Sequence, residues 1–174
     1  MNTQTRIAVP GTHFPLLFVA LALLLIGGYH VLPAVWVEQG IVRYFAVIPG
    51  AAILDWLTPG VVVTSSHTRI LSGIAQLNVL SGCEGTEALL ILYAALLAAR
   101  QPLRATLTAI LLGTLLVFLL NQLRIIALFF IAAHDRAYFE PVHGFAAPIA
   151  ILLGICLFFL LWLQWVGAHA NAGK

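Results

Sequence analysis

Apolar residues in this chain fall in long unbroken runs rather than alternating with polar ones. The first run, FPLLFVALALLLIGGYHVLPAVW (Phe14–Trp36), suffices to cross about 30 Å of hydrocarbon at ~1.5 Å per helical residue. A second follows Cys83 and ends at Arg100, with a helix expected over 84–99. A third, ATLTAILLGTLLVFLLNQLRIIALFFIAA, fills 105–133. The fourth is expected over 143–166 and contains APIAILLGICLFFLLWLQWV. These runs predict an all-α polytopic membrane protein, a single domain with about four transmembrane helices. A cleaved signal peptide competes for the first run because Arg6 precedes it. The basic flank is thin and the run exceeds a usual signal core, which favours a retained anchor.

Residues 40–80 break the pattern. GIVRYFAVIPGAAILDWL (Gly40–Leu57) is apolar but carries Arg43, a central Pro49-Gly50 and Asp55. A crossing here would move Arg100 and Arg104 outside, against the positive-inside rule. The segment is therefore read as an interfacial or re-entrant helix on the outer face. VVVTSSHTRILSGIAQLNVL (Val61–Leu80) follows, β-branched and punctuated by turn residues. It predicts a short extended hairpin on the outer rim.

Composition agrees with a bilayer partner. The 174 residues are 62% hydrophobic and only 8% charged, against about 25% charged in a soluble domain. A net charge of +2 gives no ground for nucleic-acid binding. Position matters more than sum. RQPLR (Arg100–Arg104) is a tight, doubly basic loop, and such loops stay cytoplasmic. Arg6 and Lys174 then also fall inside, both termini are cytoplasmic, and Cys83 faces the exterior or periplasmic side of the cell membrane.

Depth brings three polar groups together. From Arg100 back to Cys83 is about 25 Å of helix, and from Arg104 to Arg124 about 30 Å. With Trp162 and Trp165 in the inner aromatic belt, His143 lies about 28 Å above them. Cys83, Arg124 and His143 are thus expected at one level, the outer edge of the hydrocarbon. An arginine within an apolar helix is costly and marks function by default. The alternative is that Arg124 snorkels to outer phosphates.

A thiol, an imidazole and a guanidinium permit nucleophilic acyl transfer. His143 serves as base and then as acid to the leaving amine. Arg124 stabilises a thiolate or an oxyanion. Asn121, three residues before Arg124, shares its helical face and is expected to orient the guanidinium or contact ligand. Glu84 opposes thiolate formation, unless it points away, pairs with Arg69 or binds substrate. Glu87, four residues beyond Cys83, is expected on the same side and paired with Arg124. His134 is the alternative base, less favoured because His143 abuts a helix start. His30, His67 and His169 read as interface or loop residues, and Cys156 as core packing. The two cysteines form no disulfide framework and no CxxC, so neither metal nor cofactor is expected.

GCEGTEALLILYAALLA, LNQLRIIALFF and FEPVHGFAAPIAILLGICLFFLLW, in that order, resemble the exosortase/archaeosortase family, in particular its short exosortase H type with a Gly-Cys-x-Gly-x-Glu-Ala motif. The resemblance covers roughly Asn78 to Trp165, about half the chain. It implies a membrane cysteine protease/transpeptidase with Cys83 as nucleophile and Arg124 and His143 as its partners. The implied partners are membrane-anchored substrate proteins with a C-terminal sorting signal: a Pro-Glu-Pro-like motif, a transmembrane helix and a basic tail. Cleavage would give a Cys thioester, resolved by an acceptor nucleophile. The chain departs from the family in being shorter than its eight-span members, and in carrying Glu84 where many have a small polar residue. Two other readings remain at this stage. One is a non-enzymatic transport or assembly module. The other is a metal or haem site built from Cys83, His134 and His143.

Overall fold

A computed structural model describes residues 11–172. The orientation marks Arg6 and Lys174 lie outside the described residues. The fold is mostly helical. Helix α1 spans Phe14–His30 and α2 Ala34–Trp36. Wide π-helical turns follow over Val37–Val47 and lead into α3, Ile48–Leu57. Strands β1 (Val63–Ser66), β2 (Arg69–Ser72) and β3 (Gln76–Asn78) come next. Helix α4 spans Thr86–Ala98 and α5 Leu103–His134. A 3₁₀ turn (Arg136–Tyr138), one helical turn α6 (Phe139–Pro141) and a π turn (Val142–Ala146) lead into α7, Ala147–Ala172.

Among the described residues, three helical segments are long and apolar enough to cross a membrane: Ala34–Leu57, Leu103–His134 and Arg136–His169. Phe14–His30 and Thr86–Ala98 are apolar but shorter. Two departures from the hydropathy pattern have local causes. The run Phe14–Trp36 is not one helix, because Pro33 offers no N–H and disfavours helical geometry at Leu32. Ala34–Leu57 is helical throughout despite Pro49, which supplies no N–H to the Phe45 carbonyl four residues before it; a side chain of α5, Gln122, donates to that carbonyl instead.

The chain packs as two compact units. One comprises Met1–His30, Glu87–Leu116 and Leu152–Lys174. In it Tyr93 and Thr114 join hydroxyls at 2.6 Å, and Trp162 Nε1 donates to the Ala105 carbonyl at 3.3 Å. Phe14 stacks on Phe159 with ring centres 6.0 Å apart.

The other unit comprises Val31–Thr86 and Val117–Ile151, and holds the sheet and the chemistry. Strand order is β1-β2-β3, antiparallel throughout. Ile70 and Leu77, paired across β2 and β3, turn inward with Val42, Val47, Leu54 and Phe129. Asp55 at the end of α3 accepts the Val63 N–H at 3.0 Å and ties β1 to that helix. Gln122 of α5 donates to the Phe45 carbonyl at 2.7 Å and pins the π-helical stretch. Gly50 allows the closest approach. A methyl there would lie 3.1 Å from Ile125, 3.2 Å from the Gln122 oxygen and 3.3 Å from Ile70. Gly50→Leu should therefore overpack this contact and cost about 1–3 kcal/mol. A lowered thermal midpoint of the detergent-solubilised protein checks this; an unchanged midpoint would mean the contact yields freely.

Candidate active site

The Cys83 loop is built by two glycines. Val79 ends the β2–β3 ladder by donating to the Thr68 carbonyl at 2.9 Å, and the Cys83 N–H closes a turn on the Leu80 carbonyl at 3.0 Å. Gly82 and Gly85 take φ of +91° and +83°, left-handed values that disfavour any side chain. Gly85 also lies against the buried Asn121, whose side-chain carbons would sit 3.4 Å from a methyl at that position. Cys83 is thus held in a turn three residues before α4 begins at Thr86.

Arg124 and His143 meet it there. His143 Nε2 lies 3.8 Å from Cys83 Sγ, and Arg124 Nη2 lies 3.9 Å from the same sulfur. Arg124 Nη2 is also 3.3 Å from both His143 Nδ1 and the His143 carbonyl oxygen. Phe139 stacks on the imidazole at 5.5 Å and 21°, which fixes the ring plane. The three side chains line a small cavity of about 30 Å³ with Leu77, Val79 and Phe139 among its walls.

One guanidinium nitrogen thus faces three acceptors with two hydrogens. An arginine N–H only donates. Nδ1 therefore accepts from it only when the ring proton is on Nε2, and Nε2–H then points at the sulfur. For Nε2 to act as a base, the proton must sit on Nδ1. The guanidinium then donates to the His143 carbonyl, at the same 3.3 Å. In that tautomer the Nδ1–H and the guanidinium are both donors, so the Nη2 hydrogens are left to the His143 carbonyl and the Cys83 sulfur.

The Cys83 thiol is pushed above its ordinary range. Burial is the largest cause, since a thiolate loses solvation there. The Arg124 charge opposes this, the Glu84 charge adds to it, and hydrogen bonds from Arg124 and the Leu80 backbone lower it. Near neutral pH the sulfur is protonated, so nucleophilic attack needs a base on demand rather than a standing ion pair.

The structure gathers some expected residues and disperses others. Cys83, Arg124 and His143 share one site. Glu84 is buried beside Cys83 at 5% exposure, and its charge acts on the thiol. Asn121 is buried at 1% exposure against Gly85 and makes no hydrogen bond to Arg124. Glu87 does not take the expected place beside Arg124; it pairs with His30 at 3.2 Å. The four-residue spacing from Cys83 places them on one face only if the helix runs through Cys83, and α4 begins at Thr86. His134 Nδ1 bonds the Phe130 carbonyl of its own helix at 2.9 Å and is exposed, so of the two histidines it is His143 that reaches the sulfur. Among the described residues, no three His, Cys, Asp or Glu side chains converge to hold a metal ion.

Two contributors escaped the sequence reading. Gln122 anchors the π-helical turns, and its signal was the polar pair Asn121-Gln122 within an apolar helix. Phe139 orients the imidazole, and its signal was its helical spacing of four residues from His143.

In a Cys156→Ser background, the rate of Cys83 alkylation by iodoacetamide should rise with pH through a midpoint above that of a free thiol. Glu84→Gln removes a charge that raises the thiol and should move the midpoint down. Arg124→Gln removes one that lowers it and should move the midpoint up. A midpoint that ignores both substitutions would contradict these electrostatics.

Compared with protein-family models, curated proteins and solved structures, the chain finds no significant match.

Proposed function

We propose that this protein is a membrane cysteine protease/transpeptidase of the exosortase kind. In this reading it cleaves C-terminal sorting signals of exported proteins through a Cys83 thioester. One observation carries the reading: a cysteine, an arginine and a histidine remote in sequence meet within 3.9 Å at a loop beside apolar helices.

The chemistry balances with these groups alone. His143 Nε2 takes the Cys83 S–H proton as the sulfur attacks the scissile carbonyl. A C–S bond forms, and the carbonyl electron pair becomes an oxyanion beside the Arg124 guanidinium. Collapse breaks the C–N bond, and the imidazolium returns its proton to the departing amine. The thioester is then opened by an amine or water: a new C–N or C–O bond forms, the C–S bond breaks, and the acceptor's proton passes to His143 and from it to the departing sulfur, reforming the thiol. Glu84 has a place in this scheme. Adding to the larger effect of burial, its charge helps keep the thiol neutral until a carbonyl arrives and so limits adventitious oxidation or alkylation of Cys83.

The proposed topology has four crossings, α1, α4, α5 and α7, with both termini cytoplasmic and Cys83 outside. The pairing of His30 with Glu87 supports it, since the chain leaves α1 and enters α4 at one level. Segment 31–86 then starts and ends on the same side, and Ala34–Leu57 is interfacial or re-entrant despite its length. The sheet agrees, because β1 is polar and exposed and the outer edge of β3 is unpaired, and open sheet edges do not lie in lipid. The positively charged Arg100–Arg104 loop marks the cytoplasmic side.

Cys83→Ala should abolish processing of a co-expressed reporter that carries a Pro-Glu-Pro-like motif, a transmembrane helix and a basic tail. His143→Gln should slow it by about 10²–10⁴-fold. Undiminished processing in Cys83→Ala would sink the proposal. In the Cys156→Ser background, a membrane-impermeant maleimide should label Cys83 in intact cells. Labelling only after permeabilisation would reverse the orientation.

A further inference from the structure

The three-stranded sheet has two outer edges, and they differ. Along the β2–β3 ladder, Ser72 N–H donates to the Ala75 carbonyl at 3.1 Å and Val79 N–H to the Thr68 carbonyl at 2.9 Å. Between them Ile70 pairs with Leu77. Hydrogen-bonded and non-bonded pairs alternate in an antiparallel ladder. Ala75, Leu77 and Val79 thus spend their main-chain groups on β2, while Gln76 and Asn78 turn their N–H and C=O groups away from it. The same alternation directs Val63 and Ser65 outward from β1. There Val63 N–H is already held by the Asp55 carboxylate at 3.0 Å. One edge is tied to a helix; the other is open.

The open edge borders a cavity of about 590 Å³. Its walls include Gln76, Asn78 and Phe139 together with Arg69 and Arg136, and no carboxylate side chain lines it. Neither arginine has an ion-pair partner among the described residues. Leu77, Asn78 and Phe139 also line the small cavity at Cys83, so the larger cleft adjoins the Cys83 site and shares these walls with it. An unpaired strand edge is a template for another strand, and extended peptides use such edges through main-chain bonds.

We propose that an extended, acidic peptide segment docks as an added strand on β3. It pairs its main chain with Gln76 and Asn78, lays its carboxylates toward Arg69 and Arg136, and leads into the Cys83 site. Calling that segment a substrate rests on the acyl-transfer reading above; the docking does not. The commitment to strand geometry follows from the two-residue spacing of the outward groups, and the commitment to negative charge from the two guanidiniums. Phe139 borders both the cleft and the imidazole, so a docked segment meets the ring that orients His143.

The test uses the full chain in lipid nanodiscs, with Cys83→Ala to prevent turnover. The probe is a fluorescein-labelled, proline-free peptide of alternating threonine and glutamate, read by fluorescence anisotropy. Saturable binding is expected. Gln76→Pro removes an N–H that β2 does not use, a change edge strands tolerate. It should weaken binding about tenfold, as the loss of one or two hydrogen bonds implies. Arg136→Gln should weaken binding less, and Ser65→Pro at the opposite edge should leave it unchanged. A threonine–lysine peptide should not bind. Independently of any substitution in the sheet, the acidic peptide should slow hydrogen exchange at the Gln76 and Asn78 amides. The proposal is overturned by unchanged affinity in Gln76→Pro, by no added protection of those amides, or by no saturable binding. It is equally overturned if the edge is filled by a second copy, seen as a dimer that Gln76→Pro dissolves. Docking with processing that ignores Cys83 would sink the acyl-transfer reading and leave the edge standing. Cys83-dependent processing without strand protection would do the reverse.

Discussion

The site depends on where one guanidinium is discharged. Arg124 lies well inside a helix that is otherwise almost wholly apolar, from Leu103 to His134. A charge there is costly unless fixed dipoles and polar atoms receive it. Its Nη2 is received by the Cys83 sulfur, the His143 ring and the His143 carbonyl. Meeting that demand draws two other parts of the chain to one point. The loop after β3 must fold back through two left-handed glycines. The segment before α7 must widen into a π turn that presents both ring and carbonyl of His143. Wide helical turns recur at functional sites because they aim side chains that a regular helix would not.

The same charge sets the chemistry. With Arg124 alone beside it, the thiol would be drawn toward ionisation; burial and Glu84 outweigh that pull. The balance leaves a protonated sulfur beside an imidazole that can exchange tautomers while its carbonyl keeps the guanidinium occupied. A thiolate at this site would form by proton transfer rather than stand as an ion pair with Arg124, because burial first, and then the Glu84 charge, raise the thiol.

Much of this was legible before any coordinates. Apolar runs pointed to the long helices, and helix length led to the expectation of a common depth for Cys83, Arg124 and His143, whose side chains do meet at the Cys83 sulfur. Depth is a one-dimensional quantity, however. It does not say which faces meet, and it misdirected Glu87, whose partner is His30. The error came from extending a helix through Cys83, where two glycines instead make a turn. Hydropathy also read through Pro33, where α1 has already ended. The sheet was visible only as a β-branched stretch. Its register, and hence its open edge, depends on pairing between strands and has no local signature. Asn121 was noticed for its place on the Arg124 face, yet its role is beneath Gly85.

The central claim is that Cys83 carries the acyl group. Protein reconstituted with the sorting-signal reporter, quenched in acid and digested, should yield a Cys83 peptide bearing the N-terminal portion of the cleaved reporter. Neutral hydroxylamine should release that portion as a hydroxamate, as a thioester requires. Cleavage of the reporter by purified protein in which Cys83 stays unmodified throughout turnover would contradict the account.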